Sequence, residues 1–261
     1  MDSFIREYGW FLLFWGAIIL LGTVEFLAPQ LSGKADRKRR WPTNLGLSIL
    51  NGLIASSLPA LTVASAQWAS EREFGLLHWI AVPWWIAVAF TLLARSFGQY
   101  AFHLATHRIP LLWRLHRVHH CDDHLDATSA LRIHPIELLA SAAAVVPIIV
   151  LGGLSPVVLA VFEAFEIIFT LILHANIRVP DTVDRLARVL VVTPYLHRIH
   201  HSPEQIETDS NYGNVFTFWD RLFGTYRGTA LRSGDAVRFG LDDVSHERAG
   251  DFHYQLSLPW R

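Results

Sequence analysis

Apolar residues run in long blocks along this chain, and the chemically active polar residues gather at the ends of those blocks. Gly9 to Ala28 is a first apolar segment, interrupted by Glu25 near its end. Asn44 to Ala66 is a second and Trp79 to Phe102 a third. Each approaches the ~20 residues a helix needs to cross a bilayer core of ~30 Å. Ile136 to Leu173 is longer and is broken by Gly152, Gly153 and Pro156. Its halves are short for two full spans, so the pattern predicts a hairpin that dips into the membrane and returns to the same face. Glu163 and Glu166 in the second half cannot face lipid cheaply. They are expected to point inward or to pair with arginines. The first block follows a nearly neutral start (Asp2, Arg6, Glu7) and lacks an A-x-A-type site, so it reads as a retained helix, not a cleaved signal.

The predicted fold is all-α: an integral membrane helical bundle of about three spans plus the hairpin, carrying a cytosolic histidine-rich cap. Residues 1–102 form the N-terminal transmembrane helices. Residues 103–231 form a histidine-rich catalytic region that includes the membrane hairpin 136–173. Residues 232–261 lose the apolar periodicity and read as a cytosolic tail, either a cap or a loosely held end. Composition agrees with a membrane protein: 52% of the 261 residues are hydrophobic and 17% are charged, against roughly 25% charged in soluble domains. Mean hydropathy is +0.29. Trp10, Trp79, Trp84 and Trp85 fit an interfacial aromatic belt. A net charge of −1 gives no bias toward nucleic acid.

Basic residues set the orientation. Lys34, Arg37, Lys38, Arg39 and Arg40 lie between the first two segments and place that loop in the cytoplasm. The third segment then returns to the cytoplasm near His103. The stretch from His107 to His134, with Arg108, Arg114, Arg117 and Arg132, is on the same side. A hairpin over 136–173 brings His174 back there as well.

That side holds three histidine clusters. His103 and His107 are spaced HxxxH, while His116, His119 and His120, and again His197, His200 and His201, are spaced HxxHH. Positions i, i+3 and i+4 share a helix face, so each cluster can turn its rings toward an ion held between helices. Eight imidazoles exceed the four ligands of a tetrahedral zinc and suit two six-coordinate ions with open positions. Fourteen histidines against one cysteine, Cys121, exclude a disulfide or CxxC chemistry and favour imidazole ligation. Spacing alone does not name the metal. His174, at the end of an apolar helix, and His134, before Pro135, are further candidate ligands. His124 reads as exposed or supporting, and His78, His246 and His253 as structural or exposed.

The chain resembles the fatty acid hydroxylase / sterol desaturase superfamily of membrane di-iron oxygenases. The matching stretches are HLATH (His103–His107), LWRLHRVHH (Leu112–His120), TSALRIHPIE (Thr128–Glu137), HANI (His174–Ile177), HRIHHS (His197–Ser202) and NYGNVFTFWDRLFGTY (Asn211–Tyr226). They cover roughly the second half of the chain. The resemblance implies two iron ions held by these histidines on the cytosolic side, with O2 as co-substrate. It also implies hydroxylation or desaturation of a lipid such as a sterol, a fatty acyl chain or an ether lipid. Two features depart from the family's usual pattern. Ser96 stands where an acidic residue is common and Leu104 follows the first histidine. A missing acid leaves a ligand less firmly oriented, and Asp122, Asp123 or Asp126 are the residues expected to compensate.

Cleaving an unactivated C–H bond needs a redox metal with open positions and a site that excludes water. The chain has no GxGxxG fingerprint and no cysteine set for an iron–sulfur cluster. Electrons are therefore expected from a partner, a small cytochrome or a ferredoxin with its reductase. Arg37 to Arg40, or the arginines flanking the clusters, are candidate docking residues. A zinc-dependent membrane hydrolase is the alternative, but HExxH is absent. A non-enzymatic haem or metal carrier is the third reading, although packed HxxHH triplets do not suit bis-histidine haem.

Overall fold

A computed structural model describes residues 2–31, 36–57, 61–232 and 236–261, with side chains omitted for 2–8, 10, 11 and 55–57. Lys34 and the Trp10 side chain, which the sequence assigned to the basic loop and the aromatic belt, lie outside the described set. Helices α1 (Asp2–Leu27), α2 (Arg37–Ser57), α3 (Leu61–Glu71), α4 (Leu76–Trp79) and α5 (Trp84–Arg108) make up the N-terminal part. They are followed by α6 (Pro110–His120), a 3₁₀ turn at Ala127–Leu131, α7 (Pro135–Gly152) and α8 (Pro156–His174). Short helices α9 (Asp181–Ala187), α10 (Pro194–His200), α11 (Gln205–Thr208), α12 (Phe218–Leu222), α13 (His246–Ala249) and α14 (Phe252–Ser257) complete the chain. Among the described residues there are two isolated bridges, Pro29 with Ile177 and Val191 with Phe216, and no strand.

Local sequence sets where the helices begin. α6, α7, α8 and α10 each start on a proline, whose fixed φ suits the first helical position and whose missing N–H is not needed there. Ser155 and Thr193 cap α8 and α10 by accepting from Val158 N and Leu196 N. α7 ends at Gly153, which has φ 60 and packs so closely on α4 and the residues before it that an added Cβ would lie 2.8 Å from the His78 ring and 3.0 Å from the Phe74 carbonyl oxygen. Only glycine meets both demands.

α7 and α8 are 18 and 19 residues long and apolar enough to cross a membrane. At 1.5 Å per residue each is about 27–29 Å long. Only 22% and 28% of their spans are buried against protein, leaving wide apolar faces for lipid. The halves of the expected hairpin are thus of spanning length, not short. A third candidate span is the bent pair Leu61–Trp79 with Trp84–Arg108, which turns by 103°. The apolar part of the first helix is the shorter Leu12–Leu27.

The second apolar segment departs from expectation. Its described residues belong to α2 and α3, neither of which alone is long and apolar enough to cross a membrane. The reason is visible on α2, whose polar residues face protein. Asn44 donates to Asp122 at 3.1 Å and to Thr128 at 3.0 Å, and Asn51 donates to the Ile133 carbonyl. Glu163 and Glu166 are paired with Arg95 at 2.9 Å each, which resolves the inward-facing acids as an ion-pair cluster. Trp79, Trp84 and Trp85 are exposed, as an interfacial belt requires.

The loop after α6 is held by two fully buried arginines. Arg40 bonds Asp122, Asp126 (2.7 Å), Ser129 and the His124 carbonyl. Arg132 donates to the Val118 carbonyl at 2.8 Å and to Asn44, Cys121 and the Ala249 carbonyl. The C-terminal tail is therefore a packed cap and not a loose end. Leu258 joins Leu47, Val118 and Cys121 in one core cluster, and Gln255 is fully buried. Burial opposes ionisation of Asp122, but Arg40 outweighs it and holds the carboxyl well below the usual range.

Arg40→Met should leave Asp122 and Asp126 buried and uncompensated, at a cost of about 3–5 kcal/mol. Arg39→Met, at a partly exposed pair, should cost less than about 1 kcal/mol. Thermal unfolding of the detergent-purified variants measures both, and equal midpoints for the two would contradict this account. A depressed carboxyl pKa contributes stability that is present above the unfolded value and lost as pH falls. The Arg40-dependent difference should accordingly persist at neutral pH and shrink only in strong acid.

Candidate metal centre

Four elements bring histidines to one place: the last turns of α5 (His103, His107), α6 (His116, His119, His120), the end of α8 (His174), and α10 with its cap (His197, His200, His201). The rings sort into two sets. His103, His107, His116, His120 and His200 form one, and His119, His174, His197 and His201 the other. The ligand atoms within each set lie within 4.8 Å of one another. Each HxxHH motif therefore serves both sets. Its i and i+4 rings join one set and its i+3 ring the other, because successive helical residues are turned by about 100°. His120 and His201 stack at 4.5 Å where the sets adjoin.

The rings are aimed by what lies behind them. Nδ1 donates to the Tyr212 carbonyl from His103 (2.8 Å), to the Arg132 carbonyl from His119 (3.3 Å), to the Thr170 carbonyl from His174 (2.8 Å) and to the Ser210 carbonyl from His200 (2.8 Å). His116 Nδ1 donates to Glu137 at 2.6 Å. Such bonds fix the tautomer and leave Nε2 with a free lone pair pointing inward. His119 and His174 then face each other Nε2 to Nε2 at 3.1 Å with no proton for either to donate. The Nε2 atoms of His103, His107 and His200 are buried without a hydrogen-bond partner, and His107 Nδ1 lies 3.6 Å from Asp209 Oδ1. Opposed lone pairs and orphaned buried nitrogens are costly in isolation and are satisfied by a cation between them. The donor set, nine imidazoles with no thiolate, suits a borderline transition metal.

Electrostatics disfavours the charged form of five of the rings. Burial, and then repulsion from neighbouring imidazoles, lowers the pKa of His119, His120, His197 and His201 well below the ordinary value. His200 is pushed down to about 3 by burial and by His116. Neutral imidazole is the form that ligates a metal.

The wall behind α5 and α10 is built by the segment Asn211–Tyr226. Asp220 accepts from the Tyr212 and Gly213 amides at 2.8 and 2.9 Å and from Thr225 at 2.7 Å. This fixes the Tyr212 carbonyl that receives His103. An added Cβ at Gly213 would lie 2.4 Å from the Phe216 carbonyl oxygen, so the turn requires glycine. Tyr212 and Trp113 rings flank His107 at 5.1 Å.

Of the ten candidate ligands, the structure brings nine together and separates one. His134 caps α7: its Nδ1 accepts from Ile136 N at 3.2 Å, and its Nε2 donates to the Leu256 carbonyl at 3.3 Å. Both nitrogens are occupied away from the centre, so the assignment of His134 as a ligand is corrected to a capping role. Glu137, three residues on, is the acid that supports a ring. The sequence signal for it was an acidic residue within RIHPIE, which equally fits a helix first turn. Asp122 and Asp126 serve Arg40 and Asp123 serves Arg39, so none of the three replaces the missing acid as expected. Ser96 instead accepts a hydrogen bond from Trp219 Nε1 at 3.0 Å.

Comparison with known proteins agrees with this geometry. The sequence model of the family described as fatty acid hydroxylase matches residues 88–225, a span that contains all nine rings. The chain is 34% identical over 255 residues to an alkylglycerol monooxygenase of Caenorhabditis elegans, covering 94% of this chain and 47% of that protein. It is 28% identical over 204 residues to the alkylglycerol monooxygenase of Homo sapiens, covering 75% of this chain and 42% of that protein. It is 31% identical over 217 residues to the ornithine lipid hydroxylase OlsE of Rhizobium tropici, covering 83% of this chain and 60% of that protein. The chain thus spans about half the length of the alkylglycerol monooxygenases it matches. No solved structure matches it. With the motif-bearing half of its sequence inside the family's span and the histidines converging there, the chain belongs to the fatty acid hydroxylase family.

Proposed function

We propose that this membrane protein is a non-haem di-iron oxygenase that hydroxylates a lipid at the cytoplasmic face, using O2 and externally supplied electrons. The observation that carries the reading is the pair of imidazole sets, five and four rings, whose inward nitrogens have no partner but one another. Hydroxylation is favoured over desaturation because the relatives are an alkylglycerol monooxygenase and an ornithine lipid hydroxylase. Bound iron would supply the redox chemistry that activates O2 for C–H cleavage.

The chain's own residues do the rest. His103, His107, His116, His120 and His200 would hold one ion, and His119, His174, His197 and His201 the other. Carbonyls and Glu137 keep those rings from rotating, and burial excludes water. The apolar faces of α7 and α8 offer a lipid chain a route from the bilayer to His174 at the end of α8. A hydrolase would need a carboxylate base facing the ligands, whereas Glu137 lies on the Nδ1 side of His116 and Asp209 on the Nδ1 side of His107. For the electron donor, Arg39 and Arg40 are already committed to Asp123, Asp122 and Asp126. Arg114 is exposed beside the histidine-bearing helix ends, as is Arg108, whose guanidinium lies at the longer distance of 3.9 Å from Asp209, and they present the better surface for an acidic cytochrome or ferredoxin.

Purified wild-type protein should hold two irons per chain, and His119→Ala should lose iron and abolish the oxidised lipid in expressing cells. Elemental analysis with comparative lipidomics measures this. Iron-free wild type with a lipid profile identical to the variant's would overturn the reading. Glu137→Gln should weaken iron retention or activity by roughly tenfold to a hundredfold, as measured by competition with a chelator and by product formation. Unchanged values would remove Glu137 from the supporting role.

A further inference from the structure

A cavity of about 270 Å³ opens beside α10 and is lined by none of the nine histidines. Its charged lining is Asp181, Asp184, Arg185, Arg188 and Arg198, with Gln30 and Tyr195 beside them. Arg188 is engaged: it pairs with Asp184 at 3.1 Å, donates to the Gly228 carbonyl at 2.9 Å and lies 5.0 Å over the Tyr195 ring. Asp184 also acts on Arg198, so the lining sets three arginines against two acids, Asp181 and Asp184, and keeps one excess positive charge. Arg198 Nη1 is buried without a hydrogen-bond partner, as is Asp184 Oδ1 in the same lining. A buried guanidinium donor with nothing to receive it is a costly arrangement that an incoming oxyanion relieves.

The position of the cavity says where such an anion comes from. The segment follows closely on His174, the end of a helix apolar and long enough to span. Val183, Leu186 and Leu190, on and just beyond α9, are 53%, 71% and 71% exposed. Val183 and Leu186, at i and i+3, share a face of α9, and Leu190 lies in the turn that follows it. An exposed apolar helical face beside arginines is the pattern of a segment lying at the headgroup boundary of a bilayer.

We infer that this cavity binds the phosphate of an anionic lipid headgroup, with Arg198 at its base and Arg185 at its rim as the donors, and α9 resting on the surrounding lipid. The site is separate from the metal centre. It is tested by binding without turnover, so it stands or falls independently of the oxygenase reading.

Calorimetric titration of the full chain in detergent with three probes tests it: dihexanoyl-phosphatidylglycerol, dihexanoylglycerol and inorganic phosphate. The phosphatidylglycerol should bind, dihexanoylglycerol should not, and inorganic phosphate should bind at least about tenfold more weakly than the lipid because it lacks the apolar contact. Arg198→Gln and Arg185→Gln should each weaken the lipid by roughly tenfold. Metal content of Arg198→Gln reports whether α10 is intact, and Arg185→Gln, at an exposed position, gives the same test without touching α10. Inorganic phosphate binding as tightly as the lipid would overturn the lipid assignment. Equal binding of the anionic and uncharged lipids, or unchanged binding in Arg185→Gln, would overturn the site.

Discussion

Nine imidazoles packed in one buried space, with ring nitrogens facing ring nitrogens, set the constraint that the rest of this structure serves. His119 and His174 show it most plainly, since both Nδ1 atoms donate to carbonyls and their Nε2 atoms still meet at 3.1 Å. Protonating a ring would relieve one contact, but burial and the neighbouring rings oppose the charge. A cation is the remaining way to satisfy the cluster, and two sets of nitrogens provide two places for one. The same opposition to charge keeps those ligands ready to bind metal at physiological pH.

Holding such a cluster together requires outside support, and the supports are largely electrostatic. Arg40 and Arg132 are fully buried and tie α2, the loop after α6 and the C-terminal cap into one body. Arg132 joins the two levels directly, because its own carbonyl orients His119 while its guanidinium holds Val118, Asn44 and Ala249. Asp220 does the corresponding work on the other side by fixing the turn that carries the Tyr212 carbonyl. The WDRLFGTY ending is thus a scaffold for a ligand, not a source of ligands.

Much of this was legible in the sequence. Histidine periodicity named eight of the nine rings that converge, the place of His174 at the end of an apolar block named the ninth, and long apolar blocks foretold an all-helical membrane bundle. The failures share a cause: local patterns do not show what a side chain meets across the fold. His134 precedes a proline and reads as a ligand or a cap, and only its contacts with Ile136 and Leu256 decide for the cap. The second apolar block looked continuous, but Asn44 and Asn51 turn one end of it toward polar loops. Glu137 and Asp122 are both plausible supporting acids by position; the partner each one meets, His116 or Arg40, separates their roles.

The claim on which everything else rests is that two metal ions lie between two defined sets of rings. Anomalous scattering at the iron absorption edge, from crystals of the protein purified with its native metal, tests it most directly. The account predicts two peaks, one enclosed by His103, His107, His116, His120 and His200 and the other by His119, His174, His197 and His201. A single peak, or density at any other part of the molecule, would contradict it.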